Sequence, residues 1–177
     1  MLKSTEKILN SALNAHLMRD IDLSHLFQGT AARRYGLINK ALKQKELLQL
    51  RRGLYVLAPQ YLSRPFSLYY LANHISSHSF VTAESALQFH QWIPERVAQT
   101  TSMVAFGRNR QFDTPFGQFI YRTTPLEPGD FWTGVMRIEI NHHSVLMATP
   151  LRALCDYVYW HKIENADKEF LNTGLRI

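Results

Sequence analysis

The sequence has a single cysteine, Cys155, among 177 residues. A lone thiol closes no intramolecular disulfide, which excludes a disulfide-stapled secreted scaffold and points to a reducing, cytoplasmic compartment. No window approaches the ~18 consecutive apolar residues of a membrane span. The stretch Met1 to Lys7 lacks the apolar core of a signal peptide. Glycine is scarce, and Gly107 and Gly117 stand isolated, so no phosphate-cradling loop is encoded. Lysine is absent from residues 59–161, which argues against a metal nuclease that sets a lysine beside its carboxylates.

Further enzymatic signatures are missing too. His74 and His78 have a spacing that can hold a metal on a helix, but no glutamate lies between them and no third ligand is indicated. Ser85 and His90 lack the glycines of a nucleophile elbow. His142 and His143 are expected at an exposed turn tip. Asp130 and Glu139 are the carboxylates a nuclease would use, and Asp156 reads as a structural hydrogen-bond acceptor. The sequence therefore implies no cofactor, no metal and no catalytic residue, and a non-enzyme is expected.

What is present is charge in one place. Hydrophobic residues make up 46% and charged residues 19% of the chain, the balance of a globular protein with a real core. The net charge is +6. Residues 1–58 carry ten basic and four acidic side chains, which is the whole surplus; the remaining residues balance ten against ten. Such an asymmetry is an electrostatic footprint, and its commonest target is a phosphate backbone.

Periodicity divides the chain. Thr5 to about Arg19 reads as a first helix, with Ile8, Leu9, Ala12, Leu13, Ala15 and Leu17 at helical spacing. Asp22 reads as the N-cap of a short second helix that turns Leu23, Leu26 and Phe27 inward. Gln28-Gly29-Thr30 supplies a turn, and a third helix runs from about Ala31 to Lys45. Leu47–Leu50 and Leu54–Leu57 read as a hairpin around Arg51-Arg52-Gly53.

That order is the order of a winged helix-turn-helix over residues 1–58. On the third helix, Leu37, Ile38, Ala41 and Leu42 share an apolar face. Arg33, Gly36, Lys40, Lys43 and Gln44 share the opposite one, whereas Arg34 falls on the apolar side and must snorkel or lie outside the helix. Arg33, Lys40 and Asn39 are candidates for base edges. Thr30, Lys43 and Lys45 suit phosphates, and Arg51 and Arg52 occupy the wing tip.

Residues 59–65 read as a linker with two prolines. Residues 66–177 read as a mixed α+β domain. Helices are expected over 66–75, with Leu68, Leu71, Ala72 and Ile75 on one face, over 83–91 and over about 149–161, the last capped by Thr149 with Leu151, Leu154, Cys155 and Val158 inward. Strands are expected over 79–82, 100–106, 117–123, 135–140 and 144–148. The apolar ending Leu175-Arg176-Ile177 suggests further chain.

Several motifs, in order and spacing, carry a resemblance. They are Leu50-Arg51-Arg52-Gly53-Leu54-Tyr55, Phe80-Val81-Thr82-Ala83-Glu84-Ser85-Ala86-Leu87, Ile93-Pro94-Glu95, Phe112-Asp113-Thr114-Pro115-Phe116-Gly117 and Ala148-Thr149-Pro150-Leu151-Arg152-Ala153-Leu154-Cys155-Asp156. Through them nearly the whole chain resembles the AbiEi antitoxins of bacterial type IV toxin–antitoxin systems. Leu151 departs from the pattern, since relatives often carry glutamate there. The resemblance implies an N-terminal winged helix on operator DNA, a C-terminal antitoxin domain and repression of the protein's own operon. It also implies a nucleotidyltransferase-like toxin as functional partner, which the antitoxin need not hold in a stable complex. Paired half-sites would allow a dimer on DNA, although no heptad pattern is visible. The competing reading is a nuclease-like enzyme carried to DNA by the same winged helix.

Overall fold

The computed structural model describes residues 1–94, 97–124, 126–127 and 129–164. It is an α+β protein that divides into two compact units, Met1–Pro65 and Phe66–Ile177. Glu95 of the Ile93-Pro94-Glu95 motif and the terminal Leu175-Arg176-Ile177 lie outside the described residues.

In the first unit the expected long first helix is two pieces. Helix α1 (Lys3–Leu9) stops at Asn10, and a 3-10 turn follows over Ala12–Ala15. The break lies at Ser11, whose extended backbone cannot continue the helix. Its hydroxyl accepts from the Leu13 amide at 3.2 Å, so a cap wins over continuation. Met18–Arg19 then forms strand β1, where periodicity predicts the end of the first helix. Met18 is fully buried there, opposite Tyr55.

Helix α2 (Asp20–Leu26) starts two residues before the expected cap. Asp22 lies inside the first turn and reaches back, accepting from the Arg19 amide at 2.8 Å. Gly29, at φ +112°, makes the turn into helix α3 (Ala31–Lys43). The Thr30 hydroxyl caps α3 by accepting from the Arg33 amide. Strands β2 (Leu47–Arg51) and β3 (Leu54–Leu57) form the expected hairpin, and β3 lies between β1 and β2 in a three-stranded antiparallel sheet. Ile8, Met18, Leu23, Phe27, Ile38, Ala41, Leu47, Tyr55 and Leu57 form the core. Tyr61 and Leu62, from the segment read as a linker, pack on it.

The second unit is built on a six-stranded mixed sheet in the order β6-β7-β5-β4-β9-β8. Its strands are β4 (Ser79–Val81), β5 (Gln99–Val104), β6 (Arg110–Thr114), β7 (Gly117–Thr123), β8 (Val135–Ile140) and β9 (His143–Ala148). Helices α4 (Leu68–Ile75), α5 (Ala83–Phe89) and α6 (Pro150–His161) pack on it. Asn73 pins α4 to β9 by bonding both the amide and the carbonyl of Leu146, at 2.7 and 3.2 Å.

Four expectations change in this unit. Strand β6 was not read from the sequence, because Arg110-Gln111-Phe112-Asp113-Thr114 is a polar edge strand with one apolar side chain. Leu68 faces solvent, while Leu71, Ala72 and Ile75 are buried as expected. His143 belongs to β9, half-buried against Phe66 and Tyr70, so only Asn141 and His142 form the turn. Both take positive φ, the geometry of a two-residue hairpin turn. On α6, Leu151 is 68% exposed and Cys155 is exposed, and the inward positions are Ala153 and Asp156. That helix buries a paired carboxylate, so hydropathy misplaces its inner face.

Candidate nucleic-acid interface

Helix α3 presents two faces. Ile38 and Ala41 are buried and Leu37 and Leu42 partly so, against α1, α2 and β2. Ala32, Arg33, Tyr35, Gly36, Asn39, Lys40 and Lys43 are exposed. At helical spacing these seven fall on one continuous side. An added Cβ on Gly36 would meet nothing within 4 Å, so the middle of this face is open down to the backbone. Three cations, an amide and a phenol ring thus surround an accessible stretch of helix.

The remaining candidates sit around α3 in distinct ways. Thr30 is committed to capping the helix. Arg34 is half-buried and donates to the Gly29 carbonyl at 3.0 Å, so it snorkels back over the turn. Arg33 also lies over Gly29, since an added Cβ there would meet its side chain at 3.4 Å. Lys45 takes φ +54° just past the helix and is exposed. Arg51 is half-buried and donates to the Arg52 carbonyl, whereas Arg52 is exposed at the hairpin tip.

Gly53, at φ +76°, closes that tip; an added Cβ would come within 3.0 Å of the Asp20 carboxylate. The Asp20 amide donates to the Gly53 carbonyl at 3.3 Å, tying α2 to the hairpin. Burial and the nearby Asp20 carboxylate raise the Tyr55 phenol above its ordinary value. Tyr35, which sequence reasoning passed over, shares the α3 face at 54% exposure. Its signal was a large aromatic at the rim of a polar helical face.

The second unit holds a cavity of about 390 Å³ lined by Met103, Leu126, Asp130, Arg152, Asp156 and Tyr159 among others. At its wall, Arg152 donates to Asp156 at 3.0 Å, to the Phe131 and Thr133 carbonyls and to the Met103 sulfur. The guanidinium also lies 5.0 Å from the Phe80 ring centroid. Asp156 accepts in addition from the Thr82 hydroxyl at 2.6 Å. Burial pushes the Asp156 carboxyl up, and Thr82 and Arg152 oppose that rise only in part. This network joins α6, β5 and the residue opening α5.

The enzyme candidates do not converge. Asp130 lines the cavity beside Arg152, whereas Glu139 lines another with His142. Ser85 bonds the Gln99 carbonyl and the Thr101 amide, and His90 bonds the Ala148 carbonyl. His78 lies beyond the end of α4, at φ +56°, so it does not share a helix with His74. Among the described residues no three His, Cys, Asp or Glu side chains gather as a metal site. No described helix is long and apolar enough to cross a membrane. Compared with known proteins, the chain matches no family model and no curated protein.

Proposed function

We propose that the chain is a double-stranded-DNA-binding transcriptional repressor, with its first unit acting as a winged helix-turn-helix. The observation that carries this reading is the exposed side of α3, where Arg33, Asn39, Lys40 and Lys43 surround the open backbone at Gly36. The element order α1-β1-α2-α3-β2-β3, with α2 and α3 joined by a glycine turn, supports it. In this reading α3 enters the major groove and the Arg51-Arg52 tip lies along the backbone. With the resemblance to AbiEi antitoxins, the repressor acts on its own operon and counters a nucleotidyltransferase-like toxin, in the cytoplasm and without catalysis.

The test is fluorescence anisotropy of the purified protein with DNA from upstream of its own coding sequence and with a scrambled duplex. Binding should favour the upstream DNA by about 10³-fold or more and weaken steeply with salt. Equal affinity for both duplexes, or no binding at low salt, overturns the reading. Co-expression with the neighbouring reading frame tests the antitoxin part separately, with restored growth as the expected result.

A further inference from the structure

The six-stranded sheet ends on β8, and among the described residues β8 pairs only with β9. A sheet edge offers unpaired amides and carbonyls to another strand. The register of this edge follows from the hairpin. Ile140 and His143 flank a two-residue turn and face each other across it. In such a hairpin the flanking pair exchanges hydrogen bonds, and bonded positions then alternate along the strand. Ile140, Ile138 and Met136 therefore direct their backbone groups toward β9. Arg137 and Glu139 direct theirs to the open side.

We propose that β8 pairs antiparallel with β8 of a second copy of this chain, about a two-fold axis at Ile138. That register opposes Arg137 of each copy to Glu139 of the other, with the outward backbone groups of both positions facing each other. Each strand thus brings its bonding positions and its opposite charges to the same two places. A shift by one residue would turn the bonding positions of one strand toward backbone groups already used.

The apolar side agrees with this register. Met136 and Ile138 stand opposite Met147 and Val145, both fully buried. They carry that buried row to the edge, where Met136 is still 36% exposed. In the proposed pair Ile138 meets its own counterpart and Met136 meets Ile140 of the other copy, so the row continues across both sheets. The opposite edge offers no such match. On β6 an antiparallel self-pairing about Phe112 would oppose Gln111 to Asp113, and Asp113 already accepts from Gln111 and Gln118 within its own chain. Glu139 has a local neighbour as well, His142 at 3.6 Å, but both side chains are more than two-thirds exposed and free to turn.

The experiment is sedimentation equilibrium of the full chain without DNA, for the wild type, Arg137→Glu, Glu139→Arg and the double exchange. The wild type should show a monomer–dimer equilibrium. Each single exchange removes two opposite-charge pairs and creates two like-charge ones, so the dimer should weaken by about tenfold or more at low salt. The double exchange restores complementarity and should recover the wild-type constant to within about threefold. Arg137→Pro removes an outward amide and leaves the β9 ladder intact, so it should be monomeric with an unchanged thermal transition. A wild type that stays monomeric to ~1 mM overturns the proposal. So does a dimer whose constant ignores both single exchanges and the proline.

Discussion

Arg33 and Lys40 lie on the open side of α3, while Arg51 and Arg52 lie at the hairpin tip, and the two pairs should affect DNA differently. Arg33→Ala with Lys40→Ala should erase the preference for upstream over scrambled DNA. Arg51→Ala with Arg52→Ala should weaken both duplexes alike and flatten the salt dependence. Equal losses of preference in the two double variants would contradict this division. Two carboxylates respond to pH with opposite sign. The Thr5 hydroxyl and the Leu2 amide hold the Glu46 carboxyl below its ordinary range. Its contribution is present above the unfolded-chain value and lost as pH falls through the folded one. Glu46→Gln should therefore flatten the acid limb of the thermal-stability profile. Asp156 is raised, so the folded protein keeps a proton that the unfolded chain has already lost. Its contribution is complete below the unfolded value and lost as pH rises through the folded one. Arg152→Met should destabilise by about 3–5 kcal/mol at neutral pH, because it strands the buried carboxylate. Calorimetry should show that cost shrinking toward acid pH, where a proton replaces the guanidinium.

At the scale of elements, local hydrogen bonding decided the boundaries that periodicity missed. The apolar residues of 5–17 fit one helix, but the Ser11 hydroxyl offers a cap in the middle, and chain is needed afterwards for β1 to reach β3. Helix α6 shows the same limit on its inner face. Its N-cap Thr149 and Pro150 were legible as punctuation. The burial of Asp156 was not, since it depends on Thr82, 74 positions away. The approach to α6 is also set by Gly134, at φ +72°, where an added Cβ would lie 2.8 Å from the Arg152 Cβ. Gly134→Ala should cost about 1–3 kcal/mol through strain and collision. A chemical-denaturation midpoint equal to that of wild type would show that this turn yields freely.

For the whole molecule, the first unit closes a core from its own residues, Ile8 to Leu57 with Tyr61 and Leu62 packed on it. A fragment of residues 1–65 should therefore unfold cooperatively and keep the salt-dependent DNA binding of the full chain, checked by circular dichroism and anisotropy. A molten fragment would show that its core needs the second unit. The sequence by itself determined the concentration of positive charge in residues 1–58, the apolar stripe of α3, the turns at Gly29 and Gly53 and the β2–β3 and β8–β9 hairpins, because each depends on near neighbours along the chain. Tertiary structure alone decided the rest. It buried the Arg152–Asp156 pair under Thr82, pinned Asn73 of α4 to Leu146 of β9 and set Met18 opposite Tyr55. It also left β8 at a sheet edge. Pairing and burial of that kind join distant residues, and no local pattern encodes which of them will meet.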